Sequence, residues 1–406
     1  MLQLHSSPKT YTGWTERACS PAETLARIEQ FTPEAGITRV ADITDLDRIG
    51  IPVYSCIRPT AADGAISVYN GKGGTEDEAR AAGIMEGIER YSAEAVPRDL
   101  QNTSYSALRL AGEHAVNPED LILPRGTNAN LDIPWMDGWD ILNNESVKVP
   151  LCAVVHPNPY YMPELFRSSS NGVASGNTLE EALFYALTEV IERDSWSLAE
   201  VTRNTGKKLT DLPPRAAEMA EKFAQAGIDL ILRDITSDLG IPTIAAVSDD
   251  IQLKDPRLLT IGMGTHTNAE IAIIRALSEV AQSRATQIHG AREDAAIAEF
   301  REMMGYDRVK RMNAYWFKGD EYEPASAVPS CSSDDFKTDI ETILARLKAA
   351  GLDRVIVCDL TDPELNVPVV RVIVPGLECF TIDNDRRGQR CRNAENMRIH
   401  RTQPSA

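Results

Sequence analysis

The chain contains Gly74-Thr75-Glu76-Asp77-Glu78 and, a few turns of helix later, Met85-Glu86-Gly87-Ile88-Glu89-Arg90. The same pattern returns as Asn177-Thr178-Leu179-Glu180-Glu181 followed by Thr188-Glu189-Val190-Ile191-Glu192-Arg193. When the two copies are aligned, Thr75 falls on Thr178 and Arg90 falls on Arg193. A weaker third copy runs from Thr267-Asn268 to Ser278-Glu279-Val280-Ala281-Gln282-Ser283-Arg284. The sequence therefore predicts three similar helices.

Each copy places two carboxylates, or a carboxylate and an amide, on one helix face, because residues three apart are neighbours there. Several such groups brought together form a site for a hard cation such as Mg²⁺, which in enzymes usually accompanies phosphates. A single Glu-rich motif is more often the solvated face of an amphipathic helix. The repetition in register, and apolar neighbours such as Ile84, Ile88, Leu187 and Ile191, favour burial around a cation instead.

Two extended runs precede each of these helices. They are residues 51–57 and 65–69, residues 139–142 and 147–155, and residues 241–247 and 258–263. The helices themselves are expected over about 76–94, 178–200 and 268–288. The pattern predicts a strand–strand–helix unit used three times. It therefore predicts an α+β fold with mixed or antiparallel sheets, in which the Glu-rich helices frame one site.

No low-complexity linker divides the chain, so we expect one intertwined domain over residues 1–380. Within it we distinguish an N-terminal part (1–60), a core (61–300) and a C-terminal part (301–380). Residues 20–31 are expected to form a helix that begins at Ser20, and residues 335–349 another, followed by strands at 355–358 and 367–374. Residues 381–406 are arginine-rich and are predicted to form a polar tail with a mobile end.

The composition, with 43% hydrophobic and 25% charged residues in 406, is that of a globular protein. The net charge of −18 argues against a non-specific nucleic-acid or anionic-membrane surface. No run reaches the roughly 18 apolar residues of a spanning helix, and the N-terminus has no signal-peptide pattern. The seven scattered cysteines are typical of reduced thiols. We expect a cytoplasmic protein without nucleic-acid or membrane partners, and a homodimer as the commonest oligomer.

Glycine- and hydroxyl-rich loops lead into the first two helices, at Ser67–Gly74 and Ser168–Asn177. Backbone N–H groups at such a helix entrance favour anions, although the spacing matches neither the Walker A nor the Gly-x-Gly-x-x-Gly pattern. Loops of this kind are more often plain turns with a helix cap. Arginines that could contact phosphate are Arg17, Arg193, Arg284 and Arg292.

These motifs resemble the YcaO superfamily. The similarity rests on Asn70–Thr75 with Glu86–Arg90, on Ser170–Thr178 with Glu189–Arg193, on Ala281–Arg284 with Gly290–Asp294, and on Val370–Glu378. It covers most of the chain, from about Arg17 to Glu378. The resemblance implies an ATP-dependent enzyme that activates a peptide backbone amide. In that family a nucleophile attacks the carbonyl carbon, the amide oxygen is phosphorylated, and phosphate leaves.

By position, the resemblance implies magnesium ligands at Glu86, Glu89, Glu189 and Glu192. It implies ATP contacts at Arg17, Thr24, Lys72, Asn177, Glu181, Arg193 and Arg284. Arg17 stands where a lysine can occur in the family, and Ala174 where a serine can occur. No catalytic acid or base is assigned, and the cysteines are interpreted as packing thiols. Mg²⁺ would neutralise both the carboxylate cluster and a triphosphate.

The branch of the family is indicated by two features. Azoline-forming members commonly end in a proline-rich tail, whereas this sequence ends in Gln403-Pro404-Ser405-Ala406. The segment from Gly36 to Val53 looks most like members from methane-producing archaea, which install a thioamide on a glycine of the methyl-coenzyme M reductase alpha subunit, sometimes with a partner called TfuA. The resemblance then implies sulfide as co-substrate. The alternatives are an azoline-forming cyclodehydratase acting on Cys, Ser or Thr of a precursor peptide, and a non-catalytic scaffold.

Overall fold

The computed structural model describes residues 2–95, 100, 102–293 and 296–402. Strands and helices alternate along this part of the chain. The strands are β1 (Tyr11–Thr12), β2 (Glu16–Arg17), β3 (Arg39–Asp42), β4 (Val53–Ile57), β5 (Val68–Lys72), β6 (Asn102–Thr103), β7 (Ile133–Asp140), β8 (Glu145–Pro150), β9 (Val173–Ser175), β10 (Lys208–Thr210), β11 (Asp229–Asp234), β12 (Thr243–Asp249), β13 (Ile261–Thr265), β14 (Tyr322–Pro324), β15 (Ile356–Asp359) and β16 (Val369–Ile373). The helices are α1 (Pro21–Ile28), α2 (Glu76–Ala93), α3 (Tyr105–Leu110), α4 (Leu151–Val154), α5 (Leu179–Thr202), α6 (Pro214–Gln225), α7 (Ala269–His289), α8 (Ala296–Met304), α9 (Tyr306–Met312), α10 (Ala314–Phe317), α11 (Phe336–Ala349) and α12 (Gln389–Thr402).

Local sequence signals set the start of each Glu-rich helix. α2, α5 and α7 begin directly after Thr75, Thr178 and Asn268, whose side chains accept hydrogen bonds from backbone N–H groups of the first turn. Glu78 completes a capping box with Thr75. The three predicted helices are confirmed, with ends that differ only slightly from the expectation.

Antiparallel pairing dominates the sheets. β3, β4 and β5 form a three-stranded sheet, and β13-β12-β11-β10-β14 a five-stranded one in which β10 and β14 run parallel. The order β6-β7-β15-β16-β9 makes a further sheet, to which β8 adds by pairing with β7. β1 and β2 form a separate hairpin. The α+β class with antiparallel and mixed sheets is confirmed.

The strand–strand–helix unit holds for the first and third copies and changes in the second. α2 packs on the β4–β5 hairpin, and α7 packs on the β12–β13 hairpin. α5 instead packs on β9 and on β16, which comes from the C-terminal part of the chain. The reason is local, because β8 ends at Pro150 and the chain turns into α4 where we predicted a continuing strand to Val155. α11 covers another side of α5 and builds the largest apolar cluster with it.

Glycines let the helices lie unusually close to the strands. A Cβ atom at Gly71 of β5 would stand 2.0 Å from the carbonyl oxygen of Ala79 in α2, and one at Gly264 of β13 would stand 2.1 Å from that of Ala272 in α7. Each Glu-rich helix also contacts a strand of the next unit: α2 meets β9, α5 meets β13, and α7 meets β5. The three units therefore close into a ring with one central space.

The C-terminal segment differs from the polar tail predicted for residues 381–406. Its helix α12 packs against α5, and Cys391 is buried there. Arg390 forms ion pairs with the buried Asp194 of α5 at 2.8 Å and with Asp238 at 2.6 Å. Glu378 accepts hydrogen bonds from the backbone N–H groups of Gly388 and Cys391. Arg390, one of the arginines that suggested a solvated tail, thus holds this segment against α5. Residues 403–406 lie outside the described part. Among the described helices, none is long and apolar enough to cross a membrane.

Candidate active site

A cavity of about 300 Å³ lies in the central space between α2, α5 and α7. It is lined by ten of the eleven residues assigned to it from the sequence, which are Arg17, Thr24, Lys72, Glu86, Glu89, Asn177, Glu181, Glu189, Glu192 and Arg193. These residues come from β2, α1 and β5, from the loop before α5, and from the repeated helices α2 and α5. The repeat therefore builds one site from segments far apart in sequence.

Two arginines neutralise the carboxylates at the floor of this cavity. Arg90 lies 3.3 Å from Glu86 and 3.5 Å from Glu89, and both pairs are within α2. Arg193 of α5 repeats the arrangement, at 3.8 Å from Glu189 and 3.6 Å from Glu192. Among the described residues, no three or more Asp, Glu, His or Cys side chains are grouped as metal ligands would be. Each arginine therefore pairs with two carboxylates of its own helix.

The buried carboxylates nevertheless have the properties of cation ligands. Burial raises the pKa of Glu89 to about 8, and the nearby Glu86 and Glu189 contribute in the same direction against the opposing effect of Arg90. Burial likewise raises the pKa of Glu192 to about 7. The Oε2 atom of Glu192 is buried and has no hydrogen-bond partner among the described residues. Carboxylates that lie close to one another and are partly desolvated fit Mg²⁺, which would be held by Glu86, Glu89, Glu189 and Glu192.

α7 contributes to the same cavity from the third side. Glu279 and Gln282 accept hydrogen bonds from the Lys72 ammonium group at 2.8 and 3.0 Å. Counted from the helix caps, these two residues occupy the positions of Glu86 and Glu89 in α2. The third copy is recognisable in the sequence, but Glu279 and Gln282 were not among the predicted site residues. Their register in the repeat was the signal that could have placed them there.

β2 and α1 of the N-terminal part also contribute side chains to the cavity. Arg17 forms an ion pair with Glu181 at 3.1 Å and lies 4.0 Å from the centre of the Tyr185 ring. Thr24 donates a hydrogen bond to the side-chain oxygen of Asn177 at 3.0 Å. Arg17, Thr24, Asn177 and Glu181, which the family resemblance assigns to the nucleotide, therefore lie together at one cavity. Tyr185 was missed, because a lone aromatic residue within a buried helix carries no distinguishing sequence signal.

Arg284 is the exception, and its predicted ATP contact has to be corrected. Its side chain is fully buried away from the cavity, where its Nε lies 2.7 Å from Asp47 and its Nη2 lies 3.2 Å from Asp250. Counted from the helix caps, the counterpart of Arg90 and Arg193 in α7 is Ser283. Arg284 is one residue further on, which turns it by about 100° around the helix. Arg275 of α7 lines the cavity instead and lies 5.2 Å from the Tyr185 ring centre.

The comparisons with known proteins identify the family of this chain. Residues 70–378 match the family described as YcaO cyclodehydratase, ATP- and Mg²⁺-binding, and the chain belongs to the YcaO family. It is 48% identical, over 93% of its length and 99% of the relative's, to an uncharacterised protein of Methanothermobacter thermautotrophicus. It is 32% identical, over 92% of its length and 91% of the relative's, to a protein encoded in the tfuA 3′ region of Rhizobium leguminosarum bv. trifolii.

Two solved structures share the fold over nearly the whole chain. One is the YcaO protein of Methanopyrus kandleri bound with AMPPCP and Mg²⁺, with a TM-score of 0.79, 28% identity, and coverage of 94% of this chain and 98% of that one. The other is a heterocyclase in complex with substrate and cofactor, with a TM-score of 0.79, 26% identity, and coverage of 93% of this chain and 54% of that one. The family is enzymatic and binds ATP and Mg²⁺.

A pair of substitutions in α7 separates the roles of its two arginines. Arg284→Ala should destabilise the protein by about 3 to 5 kcal/mol, because Asp47 is left buried without its charge partner. Arg275→Ala should instead weaken nucleotide binding and leave the melting temperature close to that of the wild type. Thermal melting and binding of a fluorescent ATP analogue measure the two effects. The assignment fails if Arg284→Ala melts normally and loses only nucleotide affinity.

Proposed function

We propose that this protein uses ATP and Mg²⁺ to phosphorylate a backbone amide oxygen of a peptide and to install a thioamide. The substrate is a glycine of the methyl-coenzyme M reductase alpha subunit, which becomes thioglycine, and the sulfur comes from sulfide. The observation that supports this best is the convergence of paired acidic motifs from α2 and α5 on one cavity, with Arg17, Thr24 and Asn177 at its other end. The similarity to a protein of a methane-producing archaeon supports the choice of substrate.

The reaction balances with these components alone. Hydrosulfide attacks the carbonyl carbon, and the amide oxygen then takes the γ-phosphoryl group of ATP, releasing ADP. The carbon–oxygen bond breaks, the oxygen leaves within inorganic phosphate, and the proton of hydrosulfide ends on that phosphate. Bound Mg²⁺ supplies charge neutralisation for the triphosphate.

The side chains of the cavity each have a part in this reaction. Glu86, Glu89, Glu189 and Glu192 would hold the metal. Arg90 and Arg193, which pair with those carboxylates, would stabilise the negative charge that moves between phosphate oxygens. Arg17 and Asn177 would orient the nucleotide. No side chain is assigned as a general acid or base.

An azoline-forming cyclodehydratase is the second candidate. The similarity to a heterocyclase in complex with substrate and cofactor favours it, since the same activation step serves both reactions. In that case a neighbouring Cys, Ser or Thr side chain of the substrate attacks the carbonyl carbon in place of sulfide. The product then loses one water and gains no sulfur, so the two reactions differ in product mass.

The proposal extends to the partners and the cellular location. A TfuA-like protein is a partner in this scheme, and the relative encoded in a tfuA 3′ region supports it. A homodimer is proposed on base rates alone, and a cytoplasmic location from the dispersed, unpaired cysteines. The net charge of −18 supports the proposal that neither nucleic acid nor a membrane is a partner.

Mass spectrometry of the product tests the proposed function. The protein is incubated with ATP, Mg²⁺, sulfide and a synthetic peptide that contains the reductase glycine and no Cys, Ser or Thr. We expect a mass increase equal to the exchange of one oxygen for one sulfur, together with release of phosphate. Omission of ATP or sulfide is the control and should abolish the increase. Loss of one water from a Cys-containing peptide, without any sulfur exchange, would favour the cyclodehydratase.

A further inference from the structure

A second cleft lies beside the carboxylate cluster and is not explained by nucleotide binding. Its volume is about 730 Å³. One wall contains Ser168, Ser169 and Ser170 with His156 and Arg167, and the other wall is the segment from Phe380 to Arg386. We call it the serine groove.

The first wall of the serine groove is directly connected to the metal-ligand cluster. The chain runs from Ser170 into β9, whose Val173, Ala174 and Ser175 line the nucleotide cavity. The backbone N–H and the hydroxyl of Ser175 both donate to Glu89, at 3.0 and 3.3 Å. Because Ser170 and Val173 are three residues apart, the two cavities are separated by about 10 Å of chain at most.

The second wall is connected to the same cluster through α5. The backbone N–H of Thr381 donates to the Ser197 hydroxyl at 3.3 Å, and this hydroxyl donates to the backbone carbonyl of Arg193 at 2.6 Å. Arg193 is the arginine that pairs with Glu189 and Glu192. Both walls of the groove are therefore held by residues of the phosphate end of the nucleotide site.

Positive charge lies between the groove and the carboxylates. Arg371 of β16 is 6% exposed, donates to the carbonyl of Ser169 at 2.7 Å, and has no partner for its buried Nε among the described residues. Burial lowers the pKa of His156 to about 4, and the charges of Arg90, Arg371 and Arg167 act in the same direction. Such a group is suited to an oxyanion formed at this boundary.

The lining of the groove has the character of a peptide site. The half-buried hydroxyls of Ser169 and Ser170 make no side-chain hydrogen bond to other described residues, so they can serve a polypeptide backbone. Tyr160 and Tyr161, in the loop tied to Ser168 through Asn158, are 90% and 69% exposed. Exposed tyrosines are enriched where proteins bind one another. Asp383 and Asp385 on the opposite wall are acidic, and their negative charge would repel a phosphate-rich ligand such as a nucleic acid.

We propose that the serine groove binds an extended segment of the acceptor peptide and delivers its amide to the phosphate end of the nucleotide cavity. This inference rests on the proposed function, because it takes a peptide as the substrate. It adds the location of the peptide site, next to the start of β9, the strand that lines the nucleotide cavity. The exposed tyrosines would contact the part of the peptide that extends out of the groove.

Filling the groove tests the proposal. Ser170→Trp and Asn384→Trp place a large side chain on either wall, while Ala224→Trp does the same in a comparable cleft of about 680 Å³ beside α6. The probe is the fluorescently labelled reductase peptide, whose binding is followed by anisotropy with AMPPCP and Mg²⁺ present. We expect its dissociation constant to rise by about tenfold or more in the first two variants and to stay unchanged in Ala224→Trp. Affinity for a fluorescent ATP analogue should remain within about twofold of the wild type in all three, since the nucleotide cavity is untouched.

The possible outcomes test the groove assignment and the proposed thioamidation separately. Unchanged peptide affinity in both Ser170→Trp and Asn384→Trp would overturn the groove assignment, whatever product the wild type makes. Weakened peptide binding in those variants, combined with a wild type that exchanges no oxygen for sulfur, would support the groove and contradict the thioamidation. A wild type that binds no peptide would contradict both. Photo-crosslinking from a benzoylphenylalanine in the peptide should mark residues 156–170 or 380–386, and labelling confined to other segments would also overturn the proposal.

Discussion

Glu192→Gln should abolish ATP turnover, with a loss of at least about 100-fold, while leaving the fold intact. The substitution keeps the shape of the side chain but removes the charge and one strong oxygen ligand for Mg²⁺. Glu189→Gln should behave in the same way, because its carboxylate lines the same part of the cavity. Phosphate release, measured with and without peptide, gives the size of the loss.

The stability of Glu192→Gln distinguishes a functional carboxylate from a structural one. Glu192 is 3% exposed, one of its oxygens has no hydrogen-bond partner among the described residues, and burial raises its pKa to about 7. A charge in such a position is unfavourable for folding, so an uncharged amide should maintain or raise the melting temperature. A residue kept only for stability would show the opposite change.

Glu180→Gln provides the matched control on the same helix. Glu180 is also buried, but its carboxylate lies outside the cavity and accepts a hydrogen bond from the backbone N–H of His5 at 2.8 Å. An amide oxygen can keep that bond, so turnover should stay close to that of the wild type. Unchanged phosphate release in both Glu189→Gln and Glu192→Gln would refute the metal assignment.

The parts of the site that were predictable from the sequence are those encoded within single helices. Capping residues, the three-residue spacing of glutamates and the repetition of the motif are all local, and they placed Glu86, Glu89, Glu189 and Glu192 in one cavity. Arg284 was assigned to ATP from the family resemblance, but it lies one residue beyond the helix position of Arg90 and Arg193, and a shift of one residue in a helix changes the face.

The parts that were not predictable depend on contacts between distant segments. The pairing of β9 with β16, and the docking of α12 through Arg390 and Asp194, join residues about two hundred positions apart. No local pattern distinguishes an arginine that pairs with a buried aspartate from one that is solvated. Arg371, whose buried guanidinium lies behind the serine groove, was quoted within a family motif but could not be given a role before the sheet was known.

Gly71→Ala should destabilise the protein by about 3 kcal/mol or more and should also lower ATP turnover. The added Cβ would stand 2.0 Å from the carbonyl oxygen of Ala79 and 2.1 Å from the backbone nitrogen of Gly83, and both atoms belong to the backbone of α2. Because backbone atoms cannot rotate away, α2 as a whole must move from β5. That movement displaces Glu86 and Glu89 relative to α5, so the site is lost together with the packing.

Gly83→Ala is the control, since it adds the same methyl group to the other side of the same contact. Its Cβ would lie 3.3 Å from the nitrogen of Gly71, so a shift of a few tenths of an ångström suffices. Alanine also favours a helix over glycine by about 1 kcal/mol, which offsets that strain. The two alanine variants should therefore melt at clearly different temperatures. If they melt alike, the close approach of α2 to β5 is not what fixes the position of the acidic helix. The apolar clusters that contain α2, α5 and α7 would then have to fix the positions of the three helices.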